Sequence, residues 1–189
     1  MPISEEYKRK FINTVVLCKP NMIYVDIDNN TLNRIDVFAK EVIKKKSEEK
    51  HHKIDNASEY TRFFTGMIGE CAVERAFHCQ FVDWSIGEST LYHKADLQVL
   101  GIRVGIKTVE MYKFPIIFKQ EKYPELICIR RNVNTVILCG LASVPVLRKY
   151  QDDNLVISDN LRMRGTKTGF YGFNHLIKVS SLEDVKRWV

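Results

Sequence analysis

At 189 residues, with 45% hydrophobic and 28% charged content, the chain has the balance of a globular domain and not of a disordered or fibrous polypeptide. No apolar run approaches the ~20 residues a membrane helix needs, and the opening MPISEEYKRKF is too polar and acidic for a secretory signal. The chain therefore reads as cytoplasmic, with no membrane partner. A net charge of +6 suits an acidic partner such as nucleic acid without specifying one.

In chain order, MIYVDID, 22 to 28, has the composition of a strand. Behind it, Leu32, Ile35, Phe38, Val42 and Ile43 recur at helical spacing. Asn30 or Thr31 is expected to cap that helix, and lysines crowd its end in keeping with the macrodipole. The mixed-sign run KKKSEEKHHK reads as a solvated helix end or loop, and adjacent His51 and His52 read as solvated too. A second helix is expected over 57–78, with Phe63, Phe64, Met67, Ala72, Ala76 and Phe77 as apolar faces. Gly66 and Gly69 each cost about 1 kcal/mol against alanine inside a helix, which suggests close packing there. Glu70 and Glu74 stand one turn apart on a shared face.

After the turn segment DWSIGEST come ADLQVL and IRVGIKTVE, joined around Gly101, which reads as a hairpin. In the second run Ile102, Val104 and Ile106 alternate with Arg103, Gly105 and Lys107, so the latter three share one face of a strand. ELICIRR and TVILCGLA are further strands separated by NVN, and VPVLRKY is a short helix or helical turn. The closing LIKVSSLEDVKRWV gives a strand-like piece and a helix capped by Ser181. With no repeat and no linker, residues 1–189 read as one α/β (α+β) domain, a central mixed sheet flanked by helices. Cys18, Cys71, Cys79, Cys128 and Cys139 form no C-x-x-C pair, and several lie in apolar runs. They read as reduced core residues.

Three chemically capable side chains occur in one order: Glu70 on a helix, Asp96 at a strand start and Lys107 on the expected partner strand. Phosphodiester cleavage uses such parts. Mg²⁺ is typically held by one or two carboxylates, waters and a substrate phosphate. A nearby lysine can orient the attacking water and offset negative charge in the transition state.

The segments GMIGE, then AD, then VGIKT, followed by ELICIRR…TVILCGLASVPVL and GFYGFNHLIKVSSLEDV, together resemble the PD-(D/E)xK nuclease superfamily. The likeness covers most of the chain and is closest to small nuclease-like proteins often encoded by bacteriophages. It implies a restriction-endonuclease-like core and a metal-dependent DNA nuclease, endonuclease or exonuclease, in the host cytoplasm if phage-encoded. It also implies Mg²⁺ or Mn²⁺ as cofactor, and DNA as partner. A homodimer stays open. By this resemblance Glu70 matches the helix acid, Asp96 the first motif acid and Lys107 the motif lysine.

The departure is Gly105, where the family pattern has Asp or Glu. Three readings stay open. Glu74 or Glu110 supplies a migrated carboxylate, although Glu110 needs a bulge to face Lys107. Alternatively Glu70, Asp96, the Ile106 backbone carbonyl and waters hold the metal weakly. In the third reading the site is lost, leaving a catalytically inactive nuclease-fold module that binds DNA or protein.

The segment LRMRGTKTGFYGFNH, 161 to 175, carries Arg162, Arg164 and Lys167 without an acid, interleaved with Phe170, Tyr171 and Phe173. Such a pattern can bind phosphates and stack bases, or it can be a loop whose aromatics fill the core. Lys113, Lys119 and Lys122 are further candidates for the same groove.

Overall fold

The structure is a computed structural model that describes residues 3–47, 56–86 and 95–189. Helix α1 (Glu5–Val15) opens at Ser4, whose side chain accepts the Tyr7 amide, and buries Phe11 and Val15. The polarity of MPISEEYKRKF hides this helix, yet its pattern is legible. A cap and apolar residues at 7, 11 and 15 make one helical stripe. A 3₁₀ turn (Val16–Asn21) leads to β1 (Ile23–Asp26) and α2 (Asn29–Ser47). The cap of α2 is Asp28, not Asn30 or Thr31: its carboxylate accepts the Thr31 amide at 2.9 Å. Helix α3 (Asn56–Phe77) ends at His78, in the left-handed region at φ 51°. His51, His52 and most of the KKKSEEKHHK run lie outside the described residues.

The principal sheet contains β2 (Gly105–Glu110), β4 (Glu125–Arg130) and β5 (Thr135–Ala142) with β1, in the order β1-β5-β4-β2. β1 and β4 run antiparallel to β5, whereas β2 pairs parallel with β4. A smaller antiparallel sheet joins β3 (Ile116–Phe118), β7 (Lys167–Phe170) and β6 (Gln151–Asp152). Three short helices complete the fold: α4 (Val144–Lys149), α5 (Asp159–Met163) and α6 (Leu182–Lys186), the last capped by Ser181 as expected. The chain is thus a mixed α/β structure in which helices flank a mixed sheet.

β4 is buried on both faces, which explains its unbroken apolar run. Leu126, Cys128, Val136 and Leu138 join α3 in one cluster, while Ile127, Ile129, Ile137 and Cys139 join α1 and the small sheet in the other. A bulge skips Cys139 and places Gly140, at φ 138°, opposite Ile127. Beyond it Leu141 returns to the α3 side, against the simple alternation. Cys18, Cys71, Cys128 and Cys139 are buried and Cys79 is half-buried, all as free thiols.

The expected hairpin around Gly101 is not formed. Asp96–Leu100 is a 3₁₀ turn closed by Gly101 at φ 75°. Only Leu97 of that turn points fully inward, and Val99 is 73% exposed. ADLQVL alternates like a strand, but its backbone groups are used locally: the Gly101 amide donates to the Gln98 carbonyl and the Ile102 amide to that of Leu97. The partner of β2 is β4 instead. Gly105 lies opposite Glu125 and Glu110 opposite Arg130, so the pairing is long-range and parallel.

Candidate active site

Helix α3 packs against the strands of the principal sheet and meets β2 at Gly69. A Cβ built there would lie 1.7 Å from Thr108 Oγ1, so only glycine lets the helix approach this near. Gly66, by contrast, has no described atom outside its own helix backbone within 4 Å of its built Cβ; the expected close packing holds at one glycine of the two. Gly69 seats the next residue, Glu70, beside the start of β2. Asp96 opens the 3₁₀ turn, and its Oδ2 accepts the amide of Ile106. That bond ties the turn to β2 one residue before Lys107.

Asp96 therefore links Glu70 and Lys107: its charge acts on Glu70, and the Lys107 charge acts on it. Glu70 is pushed up to about 8 by desolvation first, then by the charges of Asp96, Glu74 and Asp83. Asp96 is also raised by burial, with the Ile106 amide and the Lys107 ammonium pulling against that shift. A fourth group, missed in the sequence, belongs with them. Glu125 at the head of β4 is 3% exposed. Burial pushes it up to about 8, against the attraction of Lys107 and with the repulsion of Glu121 and Asp96. Its one sequence signal is a carboxylate opening an otherwise apolar strand.

Other candidates are held elsewhere. Glu74 Oε1 accepts the amides of Phe81 and Val82, at 2.5 and 2.7 Å, and so shapes the loop after α3. Glu110, at the opposite end of β2 from Gly105, pairs with Lys113. Lys119 pairs with Asp153 at 2.7 Å, and Lys122 is exposed. Ile106 lies in the paired part of β2, opposite Leu126. Arg162 donates to the Val156 carbonyl.

The 161–175 segment divides. Phe170 and Phe173 are fully buried and Tyr171 packs edge-on to Tyr150 at 5.9 Å, so these rings serve the core and its border. The cations go the other way. The Lys167 pKa is lowered by desolvation and then by Lys107, Arg62 and Arg164. Lys107, Arg62 and Arg164 thus all act on Lys167, and Arg62, on α3, had no recognisable motif in the sequence.

Among the described residues, no three Asp, Glu, His or Cys side chains converge closely enough to chelate an ion by themselves. Nor is any helix there long and apolar enough to cross a membrane. No protein-family model, curated protein or solved structure matches the chain.

Proposed function

We propose that this protein is a metal-dependent nuclease with a restriction-endonuclease-like core, hydrolysing phosphodiester bonds in DNA. The observation that supports the reading is the Asp96 carboxylate, which accepts the Ile106 amide next to Lys107, feels the Lys107 charge and itself acts on Glu70. The donor chemistry fits Mg²⁺ or Mn²⁺: hard carboxylate oxygens, raised toward protonation by burial and mutual repulsion, that a cation would relieve. One or two carboxylates with waters suffice for Mg²⁺, so a ready three-ligand cage is not required. Glu70 and Asp96 would hold the ion.

When bound, such a cation lowers the pKa of water and offsets charge on the phosphate. Lys107 orients the attacking water and stabilises the negative charge that grows on the phosphoryl oxygens. Arg62, Arg164 and Lys167 hold flanking phosphates of the strand. The water oxygen bonds to phosphorus as the P–O ester bond breaks. The products are one phosphate monoester and one hydroxyl end.

Incubation of supercoiled and linear DNA with the protein and Mg²⁺ or Mn²⁺ tests this. Cleavage is expected, falling by roughly 10²–10³ in Lys107→Ala, the usual loss when a charge-stabilising donor is removed. Gly105 favours one second reading, a catalytically inactive nuclease-fold module. Salt-sensitive DNA binding with no cleavage would select it. Neither cleavage nor binding would overturn both.

A further inference from the structure

Gly105 and Lys107 share a face of β2, and the parallel register sets Gly105 opposite Glu125. A Cβ built at Gly105 would lie 2.6 Å from Glu125 Oε2, 2.9 Å from its Cδ and 3.0 Å from its Oε1. The Glu125 carboxylate therefore already occupies the space where a side chain at 105 would begin. The residue is 3% exposed, and its Oε2 has no hydrogen-bond partner among the described residues. A buried carboxylate oxygen without a partner is unfavourable unless a cation or donor completes it.

We infer that Glu125 supplies, from the neighbouring strand, the metal-binding carboxylate that β2 lacks at Gly105. Gly105 is then the space that admits the acid and not a ligand that was lost. Glu125, opposite Gly105, then pairs with Asp96, bonded to the Ile106 amide, and waters complete the shell without a three-carboxylate cage. The inference rests on the nuclease reading for its chemistry, but cation binding can be measured separately from cleavage.

The test is Mn²⁺ titration of the full chain by calorimetry, with circular dichroism as the check on folding. Wild type is expected to bind Mn²⁺. Glu125→Gln, nearly isosteric, is expected to weaken binding by at least about tenfold, a loss that even outer-sphere partners of a metal cause. Gly105→Asp with Glu125→Ala moves the carboxylate back across the strand pair and is expected to restore binding. Equal binding by wild type and Glu125→Gln, or no wild-type binding at millimolar Mn²⁺, would overturn the assignment. Should Glu125→Gln not fold, Glu125→Ala beside the double variant decides: binding regained only with Gly105→Asp supports the assignment, and equal binding by the two overturns it. Cleavage that survives Glu125→Gln overturns this assignment and leaves the nuclease reading standing. Glu125-dependent Mn²⁺ binding without cleavage does the reverse.

Discussion

Burial decides what Glu125 does to stability. Its folded pKa of about 8 lies above the ordinary 4.5. Between those values the native state keeps a proton that the unfolded chain has released, so stability falls as pH rises. The stabilisation is complete below about pH 4.5 and gone above about pH 8. In chelator-treated buffer the wild-type Tm is expected to drop from about pH 5 to about pH 8.5 more steeply than that of Glu125→Gln, which cannot ionise. At the higher pH the variant should melt several degrees above wild type, each kcal/mol being worth about 2–4 °C in a chain of this size. Parallel Tm curves would contradict the buried carboxylate. Phe170 offers a second check. Since it is fully buried, Phe170→Ala is expected to cost about 3–5 kcal/mol in urea denaturation. Unchanged stability with weakened single-strand binding would instead make it a stacking residue.

The close approach of α3 to β2 makes the two glycines of GMIGE unequal. Gly66→Ala adds a methyl where there is open space, so it is expected to stabilise by about 0.5–1 kcal/mol through helix propensity. Gly69→Ala drives a methyl into Thr108 and is expected to destabilise by about 1–3 kcal/mol. It should also lower cleavage, because α3 must shift and Glu70 moves with it. Chemical denaturation of the pair checks the signs, and two equal effects would refute the close approach. The strand content is legible in the sequence because alternation and β-branched runs survive in IRVGIKTVE, ELICIRR and TVILCGLA. The hairpin reading fails for a local reason. Gly101 correctly marks a left-handed turn, but a 3₁₀ turn and a strand can share the alternation of ADLQVL over so short a run. α1 escapes a reading by polarity alone, although Ser4, Tyr7, Phe11 and Val15 carry its cap and stripe.

Across the whole molecule, cations from distant segments act on Lys167, Lys107 of β2 among them. Arg62 comes from α3, whereas Arg164 and Lys167 precede and open β7. If they hold a duplex backbone, removing Arg164 and Lys167 should reduce the slope of log K against log salt by about 0.9 for each phosphate no longer neutralised. Fluorescence anisotropy across a salt series measures this, and an unchanged slope would remove these residues from the interface. Residue type, periodicity and order along the chain are enough to mark Glu70, Asp96 and Lys107 as chemically capable, because local patterning sets which faces strands and helices present. They could not reveal Glu125. Its role depends on which strand lies beside β2 and in what register, and that is decided by long-range pairing and by burial of β4 on both its faces. Only the folded chain brings the carboxylate of one strand into the space left by the glycine of another.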